Sequence, residues 1–382
     1  MNRTLDLSHY KYSLFLLGPR QVGKTYLLKN TLSPDLMINL LSQSEFIRYS
    51  KDISLLSKEI SALKKEKVQV VIDEIQRLPE LLNEVHLVLE SSKNVQFILT
   101  GSSARKLRRS GVNLLGGRAL TLHLHPLTHE ELAEAFHLEE VLQYGSLPKI
   151  VLEENPRERK RLLKSYAETY LKEEIQQEAL TRNIPAFARF LELAAFENGN
   201  LLNFNSIARE VGVHSKTIKE YFQILEDTLI GFFLYPYTPS PRKKLVLHPK
   251  FYFFDRGIVT ALRNELSVSL ISGTPPYGYA FEHWIVTEMR RLLEYREREV
   301  RLSFLRTSDG AEIDIILEWA DGKKWAIEIK ASSIPQTSQL RGLKSLMQDH
   351  PFDRTLCVSL TPRAYHLDSI EVLPWKTFFE EI

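Results

Sequence analysis

Three apolar runs mark the first hundred residues: 13–17 (SLFLL), 68–72 (VQVVI) and 95–99 (VQFIL). Such continuous runs suit strands of a parallel sheet covered on both faces. A helix-like segment occupies 26–32, and a further strand-like run lies at 119–124. Strands alternating with helical segments over 1–126 predict a parallel sheet flanked by helices. Residues 127–183 change character. They are helical and charged, are broken at Gly145-Ser146-Leu147-Pro148, and read as a helical lid or linker.

An apolar-periodic helix at 187–196 stops at Asn198-Gly199-Asn200. Two helices then flank Gly212. Ile207, Ala208 and Val211 line the first, and Ile218, Tyr221, Phe222 and Leu225 line the second. With a strand at 229–235 as a wing, residues 184–238 predict a winged-helix domain. His214, Ser215, Lys216 and Lys219 could face a nucleic-acid groove. Glu220 and Glu226 dilute that charge, so a domain-docking role stays open. A Pro- and Lys-rich stretch at 236–249 reads as a linker. From 250 to 382 the polar pattern turns to period two, as in EIDIIL (312–317) and WAIEIK (325–330).

The run Gly18-Pro19-Arg20-Gln21-Val22-Gly23-Lys24-Thr25 fits G-x-x-x-x-G-K-[ST] without a mismatch. Its glycines let backbone N–H groups converge on an anion at a helix N-terminus. Lys24 is then expected to reach the phosphates of ATP, and the Thr25 hydroxyl to ligate Mg²⁺. The second apolar run ends in Asp73-Glu74, at the strand end where such sheets bind ligands. Asp73 is expected to hold the Mg²⁺ shell, and Glu74 to orient or deprotonate the attacking water. Thr100, with Ser102 second, would sense the γ-phosphate, as in ATPases of the AAA+ kind. Arg118, after Gly116-Gly117, would serve as an arginine finger in its own or a neighbouring subunit. Arg105 and its neighbours in the basic run 104–109 read as a solvated or nucleic-acid-facing surface.

The C-terminal strands carry a second constellation. Asp314 and Glu328 lie on strands joined by a turn at Asp321-Gly322-Lys323-Lys324, and Lys330 shares a face with Glu328. Glu282 lies on a helical segment upstream. The three carboxylates could hold Mg²⁺ while Lys330 positions water and stabilises phosphate charge. An amphipathic hairpin with a wet charged face is the plainer alternative.

Composition narrows the partners. The chain has 382 residues, 43% hydrophobic and 26% charged, which suits two or three globular domains. Its formal net charge of +2 means that any nucleic-acid contact must come from local patches. Cys357 is the only cysteine, which excludes an internal disulfide and fits a reducing cytoplasm. Neither a signal-peptide apolar region nor a membrane-length apolar stretch is expected, so no membrane role is predicted.

With these pieces in order, the chain resembles a family of bacterial and archaeal AAA-type ATPases whose C-terminal domain is of unknown function. The matching stretches are GPRQVGKT, VVIDEIQRLPELL, FILTGSSARKL, LLGGRAL, FFDRGIV, FEHWIVTE, EIDIIL and IEIKAS. The resemblance implies an α/β chain in four parts. These are a P-loop AAA-type ATPase core (1–126), a helical lid (127–183), a winged helix (184–238) and a C-terminal α/β domain similar to PD-(D/E)xK nucleases (250–382). It assigns ATPase roles to Lys24, Thr25, Asp73 and Glu74, and nuclease-like roles to Glu282, Asp314, Glu328 and Lys330. Ile313 stands where many such nucleases have proline. The expected function is an ATP- and Mg²⁺-dependent switch working with a nuclease-like domain on nucleic acid, DNA ahead of RNA, in genome defence or mobile-element control. Two alternatives stand beside it: a scaffold ATPase docking protein partners, and a DNA-binding ATPase regulator. An intersubunit finger would require a homo-oligomer.

Overall fold

A computed structural model describes residues 2–102, 117–170, 183–238, 248–308 and 310–382. Ser103, the basic run with Arg105, Gly116, the central part of the Pro- and Lys-rich stretch and Asp309 lie outside the described residues. The chain divides into two units. The first holds residues 1–131 and 223–230, and the second holds 132–222 and 231–382.

In the first unit, β1 (Ser13–Leu17) leads to α1 (Lys24–Thr31), then β2 (Leu36–Asn39), α2 (Gln43–Lys51) and α3 (Leu55–Ala62). Next come β3 (Val68–Asp73), α4 (Leu81–Ser91), β4 (Val95–Gly101) and β5 (Ala119–His123). The sheet order is β2-β3-β4-β1-β5, and every neighbouring pair is parallel. β1 is buried along its whole length, as an unbroken apolar run requires. Phe15, Ile38, Tyr49, Val70, Ile72, Val85, Phe97 and Leu99 belong to the core between sheet and helices. Fully burying side chains of this kind stabilises the fold by about 1.5–3 kcal/mol each. β4 separates β1 from β3, so the loops after these three strands open along one edge.

The second unit begins with helical segments, including α5 (Leu138–Tyr144) and α6 (Pro156–Ser165). α7 (Ile184–Phe196) and α8 (Phe204–Val211) follow, and α9 (Ser215–Asp227) begins in this unit. The Asn203 side chain caps α8 by accepting from the Ser206 N–H, and Gly212, at φ 79°, ends it. The Phe222 ring meets Phe190 at 4.8 Å and Phe251 at 5.0 Å, which ties α9 to α7 and to the strand beyond. That strand is β7 (Lys250–Phe253), antiparallel to β6 (Gly231–Leu234). Phe251 and its neighbours therefore pair with the strand after the three helices, not with the C-terminal sheet. Leu201 adds an isolated bridge to Lys250.

After α10 (Arg256–Leu262) and the long α11 (Pro275–Tyr295) come β8 (Val300–Arg306), β9 (Glu312–Trp319) and β10 (Lys324–Lys330). α12 (Arg341–Asp349), β11 (Arg354–Ser359), β12 (Tyr365–Leu367), β13 (Ile370–Pro374) and α13 (Trp375–Glu381) complete the chain. The six-stranded sheet has the order β12-β13-β11-β10-β9-β8. Ile313, Ala326, Leu343, Cys357 and Val372 share one of its cores. Phe281, Ile285 and Met289 are all buried on α11, and Trp284 stacks edge-on against Trp375 of α13 at 4.9 Å. Among the described residues no helix is long and apolar enough to cross a membrane.

The junction of α5 and α10 is especially close. A Cβ on Gly257 would lie 2.1 Å from the Tyr144 carbonyl oxygen. Replacing Gly257 by Ala should therefore cost about 1–3 kcal/mol, the usual penalty for overpacking. A thermal or denaturant melt that matches the wild type would show that these two helices can part without loss.

Candidate functional site

The loop from Gly18 to Gly23 curls because two of its residues accept left-handed backbone. Gln21 has φ 62° and Gly23 has φ 98°. Gly18 is confined from outside, since a Cβ there would lie 2.3 Å from the Leu124 carbonyl oxygen. Lys24, buried at the start of α1, folds its ammonium back onto the carbonyl oxygens of Gly18 (2.8 Å) and Pro19 (3.1 Å). The Thr25 hydroxyl donates to Asp73 Oδ2 at 2.8 Å. The Thr100 hydroxyl donates to Asp73 Oδ1 and accepts from the Glu74 N–H at 3.1 Å. Asp73 is thus fully buried between two hydroxyls, one from the first turn of α1 and one from the end of β4.

Glu74 sits at φ 62°, a backbone state that costs a non-glycine residue on the order of 1–3 kcal/mol. Its carboxylate accepts from the Gln76 amide, which also donates to Ser102 Oγ at 3.1 Å. Gln76 was not among the residues expected from sequence. No spacing rule marks it, because its role depends on β3 and β4 lying side by side.

Lys24, Thr25, Asp73, Glu74, Thr100 and Ser102 thus gather at the carboxyl edge of one sheet. Arg118 does not. β5 runs parallel to β1 with Ala119 opposite Ser13, so Arg118 lies at the amino end of the sheet. The span of β1 puts it about 16 Å from the phosphate loop, at some 3.3 Å per residue. There it donates to Glu90 Oε1 at 3.0 Å and lies beside His86. Strand direction thus corrects the expectation that Arg118 reaches the γ-phosphate of its own chain.

The second constellation forms in the C-terminal unit. β9 and β10 are antiparallel with Ile315 opposite Ile327, and continuing that register sets Asp314 opposite Glu328. Asp314 Oδ2 accepts from the Ile329 N–H at 2.8 Å. Lys330 Nζ pairs with Glu328 Oε1 at 2.6 Å, while Glu328 Oε2 is buried without a hydrogen-bond partner. Glu282 comes from α11 and accepts from the Tyr252 hydroxyl at 2.8 Å. All four residues line one cavity of ≈ 300 Å³.

Sequence reasoning missed the other charged groups there. Lys250 and Tyr252, alternate residues of β7, enter the same cavity. Lys250 Nζ lies 2.6 Å from Glu312 and 3.6 Å from Glu282. Arg306 pairs with Glu312 at 3.0 Å. The period-two pattern of KFYF was the available signal, but it does not say which sheet the strand joins.

Burial, then the charge of Glu282, pushes Asp314 up to about 6, against the opposing pull of Lys330 and Lys250. Burial, then the charge of Asp314, pushes Glu328 up to about 8. Burial alone would lower Lys330, but Glu328 and Asp314 hold it above the ordinary lysine range. The pair is therefore short of positive charge, and the orphaned Glu328 oxygen fits a site that exchanges a proton for a cation. Among the described residues no group of three or more His, Cys, Asp or Glu is arranged to hold a metal. Glu282 is instead engaged by Tyr252 and Lys250. The donor set fits Mg²⁺ held by two carboxylates with water completing its shell.

Comparison with known proteins follows this geometry. Residues 10–133 match the AAA domain, 135–269 match a domain of unknown function (DUF8612), and 277–378 match a second domain of unknown function (DUF4143). The chain carries an AAA domain. The parallel sheet and the phosphate loop of residues 10–133 agree with that match, and a C-terminal domain of unknown function follows. An uncharacterized protein of Mycobacterium tuberculosis is 24% identical over 339 residues, 88% of this chain and 74% of that protein. One of Haemophilus influenzae is 22% identical over 268 residues, 63% of this chain and 66% of its own. Domain III of the Thermotoga maritima replication initiation protein DnaA is similar at a TM-score of 0.22, with 20% identity, over 42% of this chain and 78% of that one. That likeness is too slight to carry an argument.

The raised carboxylates make stability depend on pH with a definite sign. Between the ordinary carboxylate range and about pH 8 the folded state binds more protons than the unfolded chain, so the pair lowers stability as pH rises. In EDTA, Glu328→Gln should therefore gain in melting temperature relative to the wild type from about pH 5 to about pH 8.5. A difference that stays constant across this range would mean that the two carboxyl groups hold no extra proton in the folded state.

Proposed function

We propose that the protein binds and hydrolyses ATP with Mg²⁺ in its AAA domain, and that this cycle controls a nuclease-like site acting on nucleic-acid phosphodiesters, DNA ahead of RNA. The observation that carries the first part is the joint hold of Thr25 and Thr100 on Asp73. These hydroxyl and carboxylate oxygens are hard donors on one edge, the donor type that Mg²⁺ takes. Thr25 and Asp73 would hold Mg²⁺, which would supply charge neutralisation to the phosphates. Lys24, now held by loop carbonyls, turns its charge to the phosphates. Glu74 takes a proton from water, and Gln76 keeps its carboxylate in place. Thr100 couples the two acids, because its hydroxyl contacts Asp73 and the Glu74 backbone at once.

The second part rests on Asp314 facing Glu328 with Lys330 beside them. The two carboxylates would hold Mg²⁺, and Lys330 would stabilise charge on the phosphate. A scaffold ATPase whose C-terminal cavity docks a protein partner is the second reading. Lys250 favours it, since a buried ammonium already offsets Glu282 and Glu312.

Calorimetry and turnover test the ATPase reading. Lys24→Ala should lose ATP binding with its fold intact. Glu74→Gln should keep binding while hydrolysis falls on the order of 10²–10⁴-fold. Normal affinity in the first, or normal turnover in the second, would overturn these roles. For the C-terminal site, DNA and RNA of several forms are incubated with Mg²⁺ or Mn²⁺, with and without ATP. Cleavage lost in Asp314→Asn supports the nuclease reading, and no cleavage of any substrate moves the domain to docking.

A further inference from the structure

The run Phe254-Asp255-Arg256-Gly257 contains one side chain without a hydrogen-bond partner. Asp255 accepts from the N–H groups of Ser146 (2.8 Å) and Gly257 (2.9 Å). Gly257 allows the close pass of Tyr144. The Phe254 carbonyl accepts from Arg291 at 2.7 Å. The Arg256 carbonyl accepts from the Thr260 hydroxyl at 3.2 Å, but its side chain has no such partner among the described residues. It is only 7% exposed, its Nε has no hydrogen-bond partner, and no carboxylate lies within ion-pair distance of it among the described residues. The nearby acids are committed elsewhere: Glu265 pairs with Arg263 at 2.9 Å, and Asp255 faces Arg291 at 3.9 Å.

Burying the Nε of a guanidinium without a partner is costly, and a fold keeps such a charge only where something repays it. Burial, then the neighbouring charge of Arg263, lowers Arg256 to about 10 against the weaker pull of Glu265 and Asp255, which leaves it charged at neutral pH. Arg256 lines a cavity of ≈ 320 Å³ whose walls include Val268, Leu270, Ile271 and Pro276. Val268 and Ile271 are exposed apolar residues at 61% and 65%. Among the described residues the lining holds no second cation, and it includes Glu265.

We infer that this cavity is a binding site for a small monocarboxylate with an apolar body, its carboxylate paired to Arg256 and its body against the apolar wall. The planar guanidinium offers two parallel donors to a carboxylate. A phosphate dianion would be only half neutralised by one arginine and would meet Glu265. The volume, at the small end for ligand pockets, limits the body to a short chain or a single ring. The site is independent of the nucleotide and nuclease readings.

The test uses the full chain with hexanoate and phenylacetate as probes, and hexanamide and inorganic phosphate as controls. Calorimetry and thermal melting are the readouts. The wild type should bind a carboxylate probe and melt higher with it, and hexanamide should do neither. Arg256→Met should melt at or above the unliganded wild type, since it removes an unpaired charge, and should not respond to the probes. Arg256→Lys keeps the charge without the fork and should bind at least about tenfold more weakly. Absence of carboxylate binding to the wild type, or equal binding to the lysine variant, would overturn the proposal. Binding of phosphate in place of the carboxylates would overturn the ligand class. A methionine variant that melts below the wild type would instead show that Arg256 is structural.

Discussion

The Asp73 carboxylate cannot be buried at the edge of a parallel sheet without donors, and the first unit is arranged to supply them. Thr25 reaches it from α1, which requires the phosphate loop to close between β1 and that helix. Thr100 reaches it from β4, which requires β4 to lie between β1 and β3. Charge-assisted hydrogen bonds of this kind offset the desolvation that a bare buried carboxylate would suffer. The strained backbone of Glu74 follows directly, because the next residue must turn away while its N–H stays bonded to Thr100. One buried acid thereby fixes the relative positions of the loop, β4 and the candidate base.

The C-terminal unit meets the same problem with a different result. Asp314 finds one backbone donor and Glu328 finds Lys330, but together they lack positive charge. Lys250 supplies some of it nearby, from β7. The cavity is therefore built jointly by the C-terminal sheet and by β7. Its acidity is set as much by that strand as by the D…E-x-K pattern.

Local features were the legible ones. The apolar runs, the glycine spacing and the Asp73-Glu74 strand end all lie within short windows, and each matches an element of the structure. Asp314 and Glu328 were legible as a facing pair because a short turn joins their strands. What sequence could not show depends on contacts between distant segments. Lys250 and Tyr252 enter the cavity only because β7 pairs with β6, across a Pro- and Lys-rich stretch that reads as a linker. Gln76 matters only once β3 and β4 are neighbours. Arg118 followed a glycine pair, but the parallel direction of β5 carries it to the far end of the sheet. Arg256 gave no sign beyond its motif, since a missing partner is visible only in three dimensions.

The central claim is that Asp73 is poised to bind Mg²⁺ together with nucleotide. The most direct measurement is ATP affinity, by calorimetry, with Mg²⁺ and with EDTA, for the wild type and for Asp73→Asn. The amide keeps the shape of the side chain but lacks the charge that draws the cation. The wild type should bind ATP more tightly with Mg²⁺ than without, and Asp73→Asn should lose that gain while keeping its affinity in EDTA. An equal gain from Mg²⁺ in both proteins would contradict the account.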